Sequence, residues 1–414
     1  MVSKWALEME DEVRDVTERS LDKISSRSDT TNTSGSATTS SSQATTSTPR
    51  TKKRTFQVYF KEPETTLENN FEGENIGLRL ALKNFQDRST KLVVPGRDVS
   101  KYLPEALSMN RVLWIDQIPP PRTKECSNCL KELQEFSPPL LNGEFQNLSL
   151  KVQSIVQSEL LQEEPSEERL SENILKIESP NRQAVRIFER LMYVLPRRYN
   201  PSLMLGETGF MLSRLQCFLD IIFSEWGGFP IRYNIEHDSE KKSKSDCVKG
   251  MRSDFFVEVP SSTFSAIFNS EIVGLIGEVK PPEKERYEDF KSHDFWKLIQ
   301  MGKAEINEQI IKGIRNPRIV CIQVFGYEVA MYIMKMDQTG VYILYKAAEG
   351  YVPRSISDIP GTENIISIFQ HSKTILQAFQ KELDVTVPHT DESPDEPSLK
   401  AFIQKDVIFE KYKV

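Results

Sequence analysis

The run Ile272-Val-Gly-Leu-Ile-Gly-Glu-Val-Lys-Pro-Pro282 constrains this chain more than any other stretch. A continuous apolar segment closed by two prolines predicts a buried strand, because proline lacks the N–H that a strand ladder needs. Side chains alternate along a strand, so Glu278 and Lys280 project from one face, while Val279 points the other way and leaves its carbonyl beside them. A carboxylate and an ammonium at the tip of such a strand have two readings. One is a surface ion pair, which contributes about 0–1 kcal/mol. The other is a cation site, and the neighbouring segments separate the two.

Arg252-Ser-Asp-Phe-Phe-Val-Glu-Val-Pro260 reads as a second strand, and Phe229 to Ile235 as one before it. An antiparallel hairpin centred on Ala266 would set Asp254 beside Glu278. Adjacent carboxylates repel, which raises a pKa unless a cation lies between them. With oxygen donors and no nearby His or Cys, that cation is expected to be Mg²⁺ or Mn²⁺ rather than Zn²⁺. Upstream, Met211, Leu215, Phe218, Ile222 and Trp226 recur at helical spacing within 203–226, with Glu207 in the first turn and Gly227-Gly228 as the stop. Downstream, Phe295, Ile299, Ile306, Ile310 and Ile314 predict a long helix from Asp294 to Ile314, carrying Gln300, Lys303 and Asn307 on another face. Strands follow at Arg318 to Phe325, Glu328 to Met336 and Val341 to Lys346, then an amphipathic helix over 363–382.

This order, α/β with helix, three strands, helix, strand, two added strands and a C-terminal helix, resembles the PD-(D/E)XK nuclease superfamily, the restriction-endonuclease-like fold. The likeness spans roughly 200–350 and is similar to fungal members with Arg-x-Asp followed by Gly-Glu-Val-Lys. The resemblance implies a metal-binding Asp at Asp254, the second metal-binding carboxylate at Glu278 and the lysine that assists the attacking water at Lys280. It further implies an added metal contact from Glu207, and an accessory polar residue on the following helix at Gln300 or Lys303. Ser253 stands where the family pattern has proline before the Asp.

The remaining sequence sets the context. Across 414 residues of 38% hydrophobic content, composition suits one sizeable core plus segments that cannot bury enough apolar area to order. Trp5, Met9, Val13, Val16, Leu21 and Ile24 predict an amphipathic N-terminal helix over 1–24, suited to a protein partner. Residues 25–55 are Ser/Thr-rich and predict a disordered linker, ending in the basic cluster Pro49-Arg50-Thr51-Lys52-Lys53-Arg54, which fits a nuclear import signal or a solvated charge run. Residues 56–200 read as a mixed lead-in to a core at 201–382, and 383–414 as an acidic tail with a short terminal segment. Within the lead-in, Ser179-Pro180 predicts a helix start. Cys126 and Cys129 have half the spacing of a zinc knuckle but no second pair to complete it.

Five scattered cysteines, no membrane-length apolar run and an acidic N-terminus predict an intracellular protein that does not span a membrane. The net charge of −7 argues against a protein that coats nucleic acid with a basic surface, but leaves room for a local patch at Lys241, Lys242, Lys244, Lys249 and Arg252. Neither Gly-x-Ser-x-Gly nor a phosphate-cradling Gly-x-x-x-x-Gly-Lys occurs. Two expectations therefore stand: a Mg²⁺-dependent nuclease acting on DNA before RNA, and a catalytically inactive nuclease-like module that binds nucleic acid or protein.

Overall fold

A computed structural model describes residues 76–89, 103–117, 143–200, 205–233, 253–261, 265, 271–282, 288–338 and 340–385. In chain order, α1 (Ile76–Ser89) and α2 (Leu103–Met109) precede a short strand, β1 (Val112–Trp114). Next come α3 (Gly143–Leu160), α4 (Glu167–Leu175), α5 (Arg182–Val194) and α6, a helical run over 207–225. The strands β2 (Ile231–Tyr233), β3 (Phe255–Val259) and β4 (Ile272–Lys280) lead to α7 (Glu288–Ile311). The chain continues through β5 (Arg318–Phe325), β6 (Glu328–Met336), β7 (Tyr342–Tyr351) and α8 (Glu363–Val385).

The apolar run forms β4, which ends at Lys280 before the two prolines. It lies inside a seven-stranded mixed sheet of order β1-β7-β6-β5-β4-β3-β2. The β4–β5 and β1–β7 pairs are parallel and the others antiparallel. Having neighbours on both edges and helices over both faces explains why β4 reads as continuously apolar rather than alternating. Leu275, Val279, Val320 and Ile322 pack in one core with Phe188 and Leu191 of α5, Phe218 and Ile222 of α6, and Phe369 and Phe379 of α8. Their sequence neighbours Ile276 and Cys321 point the other way, into a second core with Phe295, Leu298 and Ile299 of α7 and Leu107 of α2. The result is a mixed α/β fold with the sheet between two helical layers.

Several sequence expectations change. The helix preceding the strands is α-wound only at Glu207–Phe210 and Gln216–Leu219, and π-wound at Met211–Leu215 and Asp220–Glu225. Trp226, expected on its buried stripe, is 51% exposed because the helical run has ended before it. The start expected at Ser179-Pro180 falls two residues later: Asn181 caps α5, its side-chain oxygen accepting the Ala184 N–H at 3.1 Å. β7 extends to Tyr351 because its far half keeps pairing with β6, out to Glu328↔Tyr351.

The boundary expected at 200/201 is not a boundary in the packing. Leu148, Val152, Ile174, Phe188 and Met192 share the core of the sheet, and β1 adds an edge strand beside β7. Fully burying each such side chain contributes about 1.5–3 kcal/mol, so the lead-in region is part of what holds the sheet. The expected N-terminal helix, linker and basic cluster, Cys126 and Cys129, the basic segment from Lys241 to Arg252, and the acidic tail beyond 385 lie outside the described residues. Among the described residues no helix is long and apolar enough to cross a membrane.

Candidate functional site

The hairpin brings Asp254 to the tip of β4. Phe255 pairs with Gly277, Phe256 with Ile276 and Val257 with Leu275, the register that sets Asp254 across from Glu278. That register slips between Val257 and Glu258, so the centring on Ala266 holds only at the Asp254 end. The Asp254 N–H donates to the Gly277 carbonyl at 2.9 Å, and Asp254 Oδ2 accepts the Val279 N–H at 2.6 Å. The acid is thus tied to the β4 backbone on either side of Glu278. Gly277 is required for this approach, since a Cβ there would lie 2.0 Å from the Phe255 ring.

Around this corner the charges interlock. Lys280 Nζ lies 2.9 Å from Glu207 Oε2, 3.5 Å from Glu278 Oε1 and 3.4 Å from the Val279 carbonyl. Lys297 Nζ lies 2.7 Å from both Glu278 oxygens. Glu278 itself is 1% exposed. Asp294, one turn before Lys297 on α7, is buried; its Oδ1 lies 3.5 Å from His293 Nδ1, and its Oδ2 has no hydrogen-bond partner.

The electrostatics follow from burial and from an excess of acids. Burial, then repulsion from Glu278 and Glu207, pushes the Asp254 carboxyl up to about 8 against the opposing pull of the Val279 N–H and Lys280. Burial also raises Glu278, outweighing the lowering pull of Lys297 and Lys280. Lys280 is burdened by its own burial, yet the attraction of Asp294, Glu278 and Glu207 together holds its ammonium above the ordinary lysine range. Four carboxylates, Glu207, Asp254, Glu278 and Asp294, thus share two ammonium groups, Lys280 and Lys297. The shortfall falls on Asp254, which gains a backbone N–H but, among the described residues, no salt-bridge partner.

The structure therefore brings together Asp254, Glu278, Lys280 and Glu207. It does not bring Lys303 to them: the Lys303 ammonium donates to the Asn110 carbonyl at 3.2 Å and lies over the Tyr342 ring, toward β7 rather than β4. Gln300 lies one turn before Lys303 on the same stripe, buried, with its amide nitrogen unpartnered among the described residues. The polar residues that α7 turns toward the site are Asp294 and Lys297. The helix starts at Glu288, ahead of the expected Asp294, so its early turns lie by the end of β4. The signal for this was topological. A helix joining parallel strands begins where the first strand ends, which favours its early polar residues over later ones.

Glu207, Asp254 and Glu278 offer oxygen donors, while the His293 imidazole stands against Asp294, and such an oxygen set suits a hard divalent ion. The shared carboxylate excess of Glu207, Asp254 and Glu278 fits such an ion, whereas the lysines now take the oxygens it would need. Among the described residues, no three acidic, thiol or imidazole side chains stand in a ready metal-holding group. Comparison with known proteins adds no name: no family profile, no curated protein and no solved structure matches the chain.

Proposed function

We propose that this chain is a metal-dependent nuclease with a restriction-endonuclease-like core, hydrolysing phosphodiester bonds in DNA in preference to RNA. The observation that carries this reading is the meeting of Asp254, Glu278, Lys280 and Glu207 at one end of β4, after two strands and ahead of a crossover helix. Asp254, Glu278 and Glu207 would hold Mg²⁺ or Mn²⁺. When bound, such an ion neutralises phosphate charge and acidifies water near neutral pH.

The chain's own groups supply the rest. Lys280, pinned between Glu207 and Glu278, is a preorganised positive donor for the attacked phosphate oxygen. Its raised pKa keeps it charged throughout the physiological range, so it acts as an electrostatic donor and not as the base that takes a proton from water. Asp254, raised by burial and by the neighbouring carboxylates, would give up its proton as the cation binds, which makes metal binding pH-dependent. The basic residues Lys241, Lys242, Lys244, Lys249 and Arg252 precede Asp254 in sequence and would follow the nucleic-acid backbone, giving binding that weakens with salt. The Pro49 to Arg54 cluster fits a nuclear location.

Purified protein is expected to cleave a nucleic-acid substrate with Mg²⁺ or Mn²⁺. Lys280→Ala and Asp254→Asn should each remove that activity while circular dichroism stays native. Cleavage by both variants at the wild-type rate would dismiss this site. One observation favours the second reading, an inactive binding module: both Glu278 oxygens are already engaged by Lys297. That module would bind nucleic acid or protein without any divalent-ion dependence, and neither bind Mn²⁺ nor cleave.

A further inference from the structure

The proposed site contains a cation already. Lys297 Nζ stands 2.7 Å from each oxygen of Glu278, a symmetric position over a carboxylate that a divalent ion would also seek. Glu278 is 1% exposed, so its carboxylate depends on a partner held within the protein. A second observation gives that lysine somewhere to go. Asp294 is three residues earlier on the same helix, where side chains are neighbours. Its Oδ2 is buried and makes no hydrogen bond among the described residues. A buried acceptor without a donor is costly, and such atoms call for an explanation.

We infer that Lys297 is a built-in competitor for the metal: it occupies Glu278 in the metal-free protein and moves to Asp294 when a divalent cation takes Glu278. This rests on the metal-site reading above and deepens it. The inference accounts for two facts together, the double engagement of Glu278 and the waiting oxygen of Asp294. Asp294 and Lys297 are three residues apart on α7, so the exchange calls for a change of lysine rotamer rather than of the sheet. Metal affinity is then set by a competition inside the protein. The site is expected to bind weakly while Lys297 is present and more tightly without it. Asp294 is in this account not a ligand but the seat of the displaced ammonium.

The test is calorimetric titration of Mn²⁺ into the full-length protein and its Lys297→Met, Asp294→Asn and doubly substituted variants, with native circular dichroism required of each. Lys297→Gln serves as a second neutral variant should methionine compromise folding. Lys297→Met is expected to bind Mn²⁺ at least about tenfold tighter than wild type. Asp294→Asn is expected to weaken binding in the wild-type background and to have no effect when Lys297 is already methionine. Measurable and equal Mn²⁺ affinity in wild type, Lys297→Met and Lys297→Gln would overturn the competition while leaving the metal site standing. Equal weakening by Asp294→Asn in both backgrounds would overturn the seat and make Asp294 a direct ligand. Absence of Mn²⁺ binding from every variant up to millimolar concentration would overturn the inference and the metal site together.

Discussion

At the scale of single residues, Asp254 carries the conflict in the site. It is buried, faces Glu278 and Glu207, and accepts the Val279 N–H as its one close donor among the described residues. Its carboxyl rises from an ordinary 3.8 to about 8, so between those values the folded protein holds a proton that the unfolded chain has released. The favourable contribution is therefore complete below about pH 4 and is lost as pH rises through about 8. Asp254→Asn removes this dependence. Urea unfolding of the metal-free proteins should show the variant gaining stability over wild type between acidic and mildly alkaline pH, and parallel pH profiles would contradict the electrostatic account. Asp254, Glu278 and Lys280 were legible in the sequence because strand alternation and hairpin register are short-range geometry, whereas the place of Glu207 came only from the family resemblance. Asp294 and Lys297 were not, since apolar periodicity locates the buried stripe of a helix but does not say which of its polar stripes meets a distant strand.

At the scale of elements, the β3–β4 hairpin decides whether the site exists. Gly277 sits opposite Phe255, whose ring fills the space a side chain would need. Gly277→Ala forces that ring or the strand to shift, an overpacking expected to cost about 1–3 kcal/mol. The loss should be visible as a lower denaturant midpoint, and adding Phe255→Leu should recover part of it. An alanine variant as stable as wild type would mean that the hairpin tolerates a wider separation. The strands β3 to β7 were readable because they are apolar and bounded by Gly or Pro, whereas the three-residue β1 was not. The start of α7 was not. Its first turns carry Glu288, Asp289 and Lys291, with little apolar periodicity, so the pattern begins only near Phe295. That displaced start is what shifted attention to Gln300 and Lys303, later on the helix. Lys303 lies about 9 Å further along the axis than Lys297 at the usual rise per residue.

At the scale of the whole molecule, the helices of 143–200 and the sheet form one core. Phe188, Leu191 and Met192 are fully buried against α6, α8 and the strands, so a fragment beginning at 201 would expose the face they cover. The fragment 201–385 is expected to show weak near-ultraviolet circular dichroism and bind a hydrophobic dye, while 76–385, which keeps β1 and both cores, should unfold cooperatively. A cooperative transition in the shorter fragment would restore the boundary that composition suggested. The lead-in was set apart because α3 and α4 carry a sparse apolar stripe among Glu, Gln and Ser, and helical spacing alone does not say that this stripe meets the sheet. The most direct test of the central claim, that the end of β4 is a divalent-metal site for phosphodiester hydrolysis, is calorimetric titration of Mn²⁺ into the full-length protein and its Asp254→Asn variant. The account predicts saturable binding by the wild type that the variant loses. Equal binding by both, or none by either, would contradict it.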